Sequence, residues 1–320
     1  MGNARLESIH VHPVKAFRGL APRQAEVEPW GLAGDRRWAL IDDRGKVVTQ
    51  RQQPCLARAA AALLPGGGVR LSASGLPALD VPVPRPTGTV PVDIFGDAVR
   101  GVPAEDPAAH TWVSILLGAD VRLVHMDDPA TRRPVDPVYA RPGETVSFAD
   151  GYPLLLTTTA SLDALNSLIA QGDHPDEGPL PMNRFRPNVV VDGTTAWAED
   201  DWTRVAIGEV VFRVATMCGR CVVTTTDQES AARGKEPLRT LGRHRRFGAK
   251  LVFGQNLVPL TCGTIRVGDP VTVLEAGSGA DPGGDPDRSA GAGTGADPGR
   301  DPDRSAGAGT GFGGPRVQKV

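Results

Sequence analysis

Turn-forming residues interrupt this chain so often that long helices are ruled out over most of it. Gly (39) and Pro (29) are spread through 320 residues and cut the apolar runs to a few residues each. Short β-branched runs between such breaks read as strands. Leu6, Ile9 and Val11 open the chain in this way and end at His12-Pro13. Trp38–Ile41, the turn Asp42-Asp43-Arg44-Gly45 and Lys46–Thr49 read as a hairpin with Gly in its turn. Further short strands are expected at Val69–Leu71, Leu79–Val83 and Val90–Ile94. The first part of the chain is therefore a small β-rich domain.

Two segments carry helical spacing. In Asp106–Gly118, residues Ala109, Trp112, Val113, Leu116 and Leu117 share one face, and Gly118 stands where a helix ends in a left-handed residue. Leu162, Leu165, Leu168 and Ile169 recur at the same spacing, with a cap available in Thr157–Ser161. Strands return at Val121–His125, Leu154–Leu156, Val189–Val191, Arg204–Ile207, Val210–Ala215, Leu251–Phe253, Thr264–Val267 and Val271–Leu274, and a helical turn is expected from Lys235-Glu236-Pro237-Leu238. The fold class is mainly β with a few helices (α+β). Ala280–Gly295 and Ala296–Gly311 repeat one sixteen-residue unit that differs only at Gly284 and Arg300. No side chain in it larger than Ala is apolar, so it cannot bury a core, and a disordered tail over 277–320 is expected.

Charge and composition exclude several function classes. A net charge of −2 without a long Lys/Arg block argues against neutralising nucleic-acid phosphates. No apolar run nears the length that spans a bilayer, and the first residues lack the pattern of a secretory signal. Four cysteines, Cys55, Cys218, Cys221 and Cys262, fit a reducing compartment better than a disulfide framework. The expectation is a cytoplasmic protein without a membrane or nucleic-acid partner. Phosphate loops and dinucleotide fingerprints are absent, and no iron–sulfur cysteine set or flavin motif is found.

The chemistry concentrates in Met217-Cys218-Gly219-Arg220-Cys221-Val222-Val223-Thr224-Thr225-Thr226-Asp227. Val222–Thr226 is a β-branched run suited to a strand, so the thiols are expected at the junction of two strands. Four readings are open from these residues. The cysteines are small buried hydrophobes, zinc ligands, a redox dithiol, or the source of one thiolate to a metal cofactor. Zinc lacks a second ligand pair nearby, and a dithiol of the thioredoxin kind is expected to start a helix. Lys15 and Arg18 read from the residues alone as cations on a solvated loop.

Taken in order, His12-Pro13-Val14-Lys15, Asp35-Arg36-Arg37-Trp38, Asn183–Asn188, Cys218–Thr225, Lys235–Leu238, Phe253-Gly254-Gln255 and Val267-Gly268-Asp269 resemble the MOSC (molybdenum cofactor sulfurase C-terminal) family. The likeness spans about residues 4–276 and is to members with an added N-terminal domain, such as the mitochondrial amidoxime-reducing component and its bacterial relatives. It implies an N-terminal β-barrel-like domain over 1–125 and a MOSC β-barrel domain over 126–276. It also implies a molybdenum cofactor (molybdopterin), with pyridoxal phosphate binding as a further family property, and the reduction of amidoximes, hydroxylamines and N-hydroxypurines. Electrons would come from a separate ferredoxin or flavin reductase.

The resemblance makes Cys221 the molybdenum ligand and leaves Cys218 as its neighbour. It places Lys15, Arg36 and Arg186 on the pterin and its phosphate. Arg220 and Asn188 lie in matching motifs, and Thr158 falls where relatives face the cofactor with a hydroxyl. Ala16 replaces a small hydroxyl residue, and Asn256 stands where some relatives are aromatic. Cationic side chains suit this anionic cofactor, and thiolate suits a soft metal. The alternatives are a carrier of sulfur or cofactor through a cysteine persulfide, and a thiol–disulfide protein. Outside the resemblance, Asp227 is a proton donor or an anchor for the cysteine loop, and the acidic stretch Glu199-Asp200-Asp201 reads as a solvated turn. His10 and His12 are expected to be structural.

Overall fold

A computed structural model describes residues 4–135, 138 and 140–277. The sixteen-residue repeats lie outside the described residues. The largest sheet runs in the order Arg5–Ile9, Val189–Asp192, Leu154–Thr158, Lys250–Pro259, Val210–Gly219, Trp202–Ile207, Val271–Ala276, with Arg246–Phe247 pairing off its side. Its two ends come back together. Gly268 donates its N–H to the Leu6 carbonyl at 2.7 Å, and Leu6 donates to Asp269 O at 2.9 Å. This contact curls the sheet towards a barrel, and Leu6, Ile9, Leu156, Val189, Val205, Phe212 and Leu257 fill the inside. One pair is parallel, Leu154–Thr158 with Val189–Asp192, and the helix Thr159–Ala170 lies in the connection such a pair requires.

The other β-structure is built from shorter pieces, as the punctuation predicts. Trp38–Ile41, Arg122–His125, Asp97–Pro103 and Val90–Ile94 form a four-stranded sheet, and Ala60–Leu63, Val69–Ala73 and Leu76–Val81 a three-stranded one. The helix Pro107–Leu117 buries Ala109, Trp112 and Val113 in a core with Trp38, Leu40, Leu71 and Leu123. Its ends are set by local chemistry. Asp106 accepts the N–H of Ala108 at 2.8 Å, Pro107 takes the first turn, and Gly118 closes the helix at φ +63°.

Two early segments pair with late ones. Arg5–Ile9 is hydrogen-bonded to Val189–Asp192, and Gln24–Glu28 to Gly263–Arg266. The described residues accordingly belong to one compact unit. Among the described residues no helix is long and apolar enough to cross a membrane.

Candidate functional site

A cleft of about 380 Å³ opens where the strand Val210–Gly219 ends. That strand pairs with Lys250–Pro259, and its register slips between Met217 and Gly219. Such a bulge bends a strand and re-aims the residues beyond it. Arg220 N–H then pins the chain to the Leu251 carbonyl at 2.7 Å, and Cys221 caps a 3₁₀ turn over Val222–Thr225. The β-branched run is thus a turn and not the expected strand. Its own hydroxyls explain why: Thr224 Oγ1 donates to Cys221 O and Thr225 Oγ1 to Val222 O, both at 2.9 Å, so the side chains take carbonyls that a neighbouring strand would need.

Both thiols line the cleft, and each receives a guanidinium. Arg220 Nη1 lies 2.9 Å from Cys218 Sγ, and Arg51 Nη2 lies 3.6 Å from Cys221 Sγ. Arg220 is fixed by a second bond, Nη2 to Phe185 O at 2.6 Å. Among the described residues the walls carry six cationic side chains, Lys15, Arg36, Arg51, Arg186, Arg220 and Lys250, against one carboxylate, Asp150. Left without an anion, that excess of positive charge is self-repelling.

Each buried cation is held by its own scaffold. Arg36 donates through Nη1 to Asp35 Oδ2 at 2.5 Å and to Asn188 Oδ1 at 3.0 Å, and through Nη2 to Arg186 O at 3.2 Å. Asn188 ties this group to the sheet, accepting from Leu155 N and donating to His10 O. Arg186 donates through Nη1 to Phe17 O at 2.7 Å, while its buried Nη2 has no partner among the described residues. Burial, and then Arg36, pull the Arg186 pKa down to about 9, so its guanidinium is still charged at neutral pH. Lys15 is only 4% exposed. Burial lowers its pKa to about 8, opposed by Asp150 and reinforced by Arg133 and Arg36.

Lys15 Nζ donates to Asp150 Oδ1. The Asp150 side chain lies in the cleft but is 74% open to water. The cleft walls around it push its carboxyl up, yet Lys15, Arg36 and Arg51 together hold it well below the usual carboxylate range. Arg133, buried, shapes the Asp150 loop by donating to the carbonyls of Ser147, Ala149 and Asp150. Backbone strain collects in the same place. Among the described residues six non-glycine residues have positive φ, and four of them, Ala16, Arg36, Phe95 and Arg186, line this cleft.

Of the residues singled out from sequence, the fold brings together Lys15, Arg36, Arg186, Asn188, Arg220, Cys221 and Asn256, with Cys218 beside them. Thr158 is not among the cleft-lining residues. It is the N-cap of the helix Thr159–Ala170, accepting from Ser161 N and sharing hydrogen bonds with Ser161 Oγ and Glu199 Oε2. Asp227 is likewise absent from the lining, and of its two readings the anchor is the one the geometry supports. Its Oδ1 accepts from Glu229 N, Ser230 N and Ser230 Oγ, and its Oδ2 from Arg184. The Ser230 bonds foremost, with Arg184 assisting, bring its pKa to about 2, which makes it a poor proton donor at neutral pH.

The acidic stretch is not a solvated turn either. Glu199 is fully buried, and Asp200 accepts from Arg245 and Gln255. His12 is buried with Nε2 facing Pro187 O at 3.3 Å, and among the described residues no three His, Cys, Asp or Glu side chains group as a metal site.

Arg51, Phe95, Asp150 and Lys250 were not singled out from sequence. Arg51 lies just beyond the first hairpin and Phe95 sits in a turn, and neither lies in a chemical motif. The residues that line the cleft suit an anionic organic cofactor carrying a soft metal. Among the described residues the buried Arg186 Nη2 finds no acceptor, six cationic side chains of the lining face one carboxylate there, and a cysteine sulfur stands in the same cleft as a soft ligand.

Family models match the chain twice, a MOSC N-terminal beta barrel domain over residues 3–120 and a MOSC domain over 143–272. Among curated proteins, mitochondrial amidoxime-reducing component 1 of Homo sapiens is 32% identical, covering 82% of this chain and 81% of its own. That of Danio rerio is 34% identical and covers 82% of each. A molybdenum cofactor sulfurase of Oryza sativa subsp. japonica is 29% identical over 79% of this chain, which is 32% of that protein.

Proposed function

The chain belongs to the MOSC family, and from that membership we propose that it is a molybdenum cofactor-dependent reductase of N-hydroxylated compounds. The single observation that carries this reading is the convergence of Lys15, Arg36 and Arg186 on the cleft that holds Cys221, with Arg186 Nη2 lacking an acceptor among the described residues. The names of the similar proteins, amidoxime-reducing components and a molybdenum cofactor sulfurase, point the same way.

In this reading Cys221 Sγ is the metal ligand. Lys15, Arg36 and Arg186 hold the pterin and its phosphate, and Asn188 orients Arg36. Arg220 holds Cys218 at close range, while Arg51 stands farther from Cys221, the thiol that takes the metal. Asn256, on the strand Lys250–Pro259, faces the substrate space. The bound cofactor supplies the two-electron chemistry, and the protein positions it. For an amidoxime the balance is one substrate, two electrons and two protons giving one amidine and one water. We further propose that the electrons come from a separate ferredoxin or flavin reductase, and that the protein works in the cytoplasm, where its four free thiols stay reduced.

The test is the molybdenum and pterin content of the purified protein, wild type and Cys221→Ala, and then turnover of benzamidoxime with a chemical reductant. Near-stoichiometric metal in the wild type and its loss in the variant is the expected result. No cofactor in either protein, from a host that makes it, refutes the reading. That outcome would favour a sulfur or cofactor carrier, for which the two cleft thiols are the relevant observation. Pyridoxal phosphate is tested by adding it and looking for an imine absorbance, since Lys15 and Lys250 are the amines of the cleft.

A further inference from the structure

The strands Val90–Ile94 and Asp97–Pro103 are joined by two residues, Phe95 and Gly96, at φ +57° and +104°. The pairing of Ile94 with Asp97 closes this two-residue loop. Positive φ at both positions is the signature of a primed hairpin turn, where Asn-Gly is the favoured pair because a bulky side chain is strained there. Phenylalanine at the first position costs stability. The ring does not recover it by burial, since it is 47% exposed and belongs to none of the apolar cores.

The ring lies instead on the cleft. Arg51 sits over it at 4.1 Å from the centroid, and the same guanidinium reaches Cys221 Sγ. Lys15 Nζ is 5.4 Å from the centroid. An aromatic ring is thus held on a strained turn, braced by cations, in the cleft that holds Cys221, with nearly half its surface open. Such a surface offers a flat partner stacking area at little entropic cost.

We propose that Phe95 is a specificity-determining residue that stacks flat, aromatic N-hydroxylated substrates in preference to aliphatic ones. This rests on the reductase reading above. Benzamidoxime and acetamidoxime test it, since they share the reacting group and differ in the ring. Wild type, Phe95→Asn, Phe95→Ala and Phe95→Tyr holoproteins are compared for kcat/KM with a chemical reductant, and for binding of both compounds by calorimetry without reductant.

The ratio of benzamidoxime to acetamidoxime should fall roughly three- to tenfold in the Asn and Ala variants, in both assays, and recover in Phe95→Tyr. Phe95→Asn should also melt at or above the wild-type temperature, because Asn suits the turn. An unchanged ratio refutes the proposal, as does an equal loss for both compounds, which would make Phe95 only a brace for Arg51. A lower melting temperature for Phe95→Asn would make the ring a structural brick and refute it too. If wild type reduces neither compound, the reductase reading fails by itself, and the binding ratios still decide the role of Phe95.

Discussion

Lys15 is the residue for which a charge was placed where the empty fold would not want it, and that has a measurable consequence. Its pKa falls from an ordinary 10.5 to about 8, with burial as the largest cause. The unfolded chain therefore binds more protons than the folded one between those values, so stability rises with pH across that window. The gap corresponds to roughly 3 kcal/mol, of which about 2 kcal/mol should be recovered between pH 7 and about 9.5. Lys15→Met removes the titrating group while keeping the length of the side chain. Asp150, which it leaves unpaired, is open to water and adds little cost.

The assay is urea unfolding of both proteins, prepared without cofactor, at several pH values. Wild type should gain about 2 kcal/mol on Lys15→Met between neutral pH and pH ~9.5, since other titrations cancel in the difference. The variant, although no less stable at neutral pH, should lose its hold on the pterin phosphate. A stability difference that does not change with pH refutes the argument.

The same geometry gives three further expected outcomes. Thr158→Ala should cost about 1–2 kcal/mol through the lost cap and one lost hydrogen bond to Glu199, which Ser161 still holds, measured by thermal melting, and leave molybdenum content unchanged. Asp227→Asn should loosen the loop at Ser230 in hydrogen exchange. The stabilisation from the Asp227 carboxylate is present above its ordinary pKa and is lost as pH falls towards about 2, so variant and wild type should converge in acid. A division at residue 125 is a proposal that the strand order makes testable. A fragment of residues 126–277 should not give a dispersed NMR spectrum, because Arg5–Ile9 and Gln24–Glu28 are missing from its sheets, and adding a chain of residues 4–125 should restore it.

Features governed by neighbouring residues were legible in the sequence. Asp106 and Gly118 bracket their helix as capping chemistry demands, and Thr158 begins the next one. The Cys218–Cys221 stretch stood out because its residue types are chemically unusual together. Arg51 and Asp150 were not legible. Their importance comes from loops that approach Cys221 and Lys15 only after folding, and nothing local marks them. Val222–Thr225 misled because β-branching favours a strand only where a partner strand is available, and here the hydroxyls turn back on their own carbonyls. Thr158 shows the opposite error: the cap was visible locally, while the family resemblance pointed its hydroxyl at the cofactor.

The pairing of early strands with late ones has a consequence for synthesis. Arg5 is hydrogen-bonded in register with Asp192, and Val27 with Gly263. At ordinary ribosomal speeds, roughly ten to forty seconds separate the emergence of Arg5–Ile9 from that of its partner strand. For that interval Leu6 and Ile9 are apolar side chains on a strand with no neighbour, a state in which nascent chains stick to one another. A cell overproducing this protein should therefore lose it to aggregation during translation more than after release, and lower growth temperatures or more trigger-type chaperone should raise the yield without altering the finished molecule.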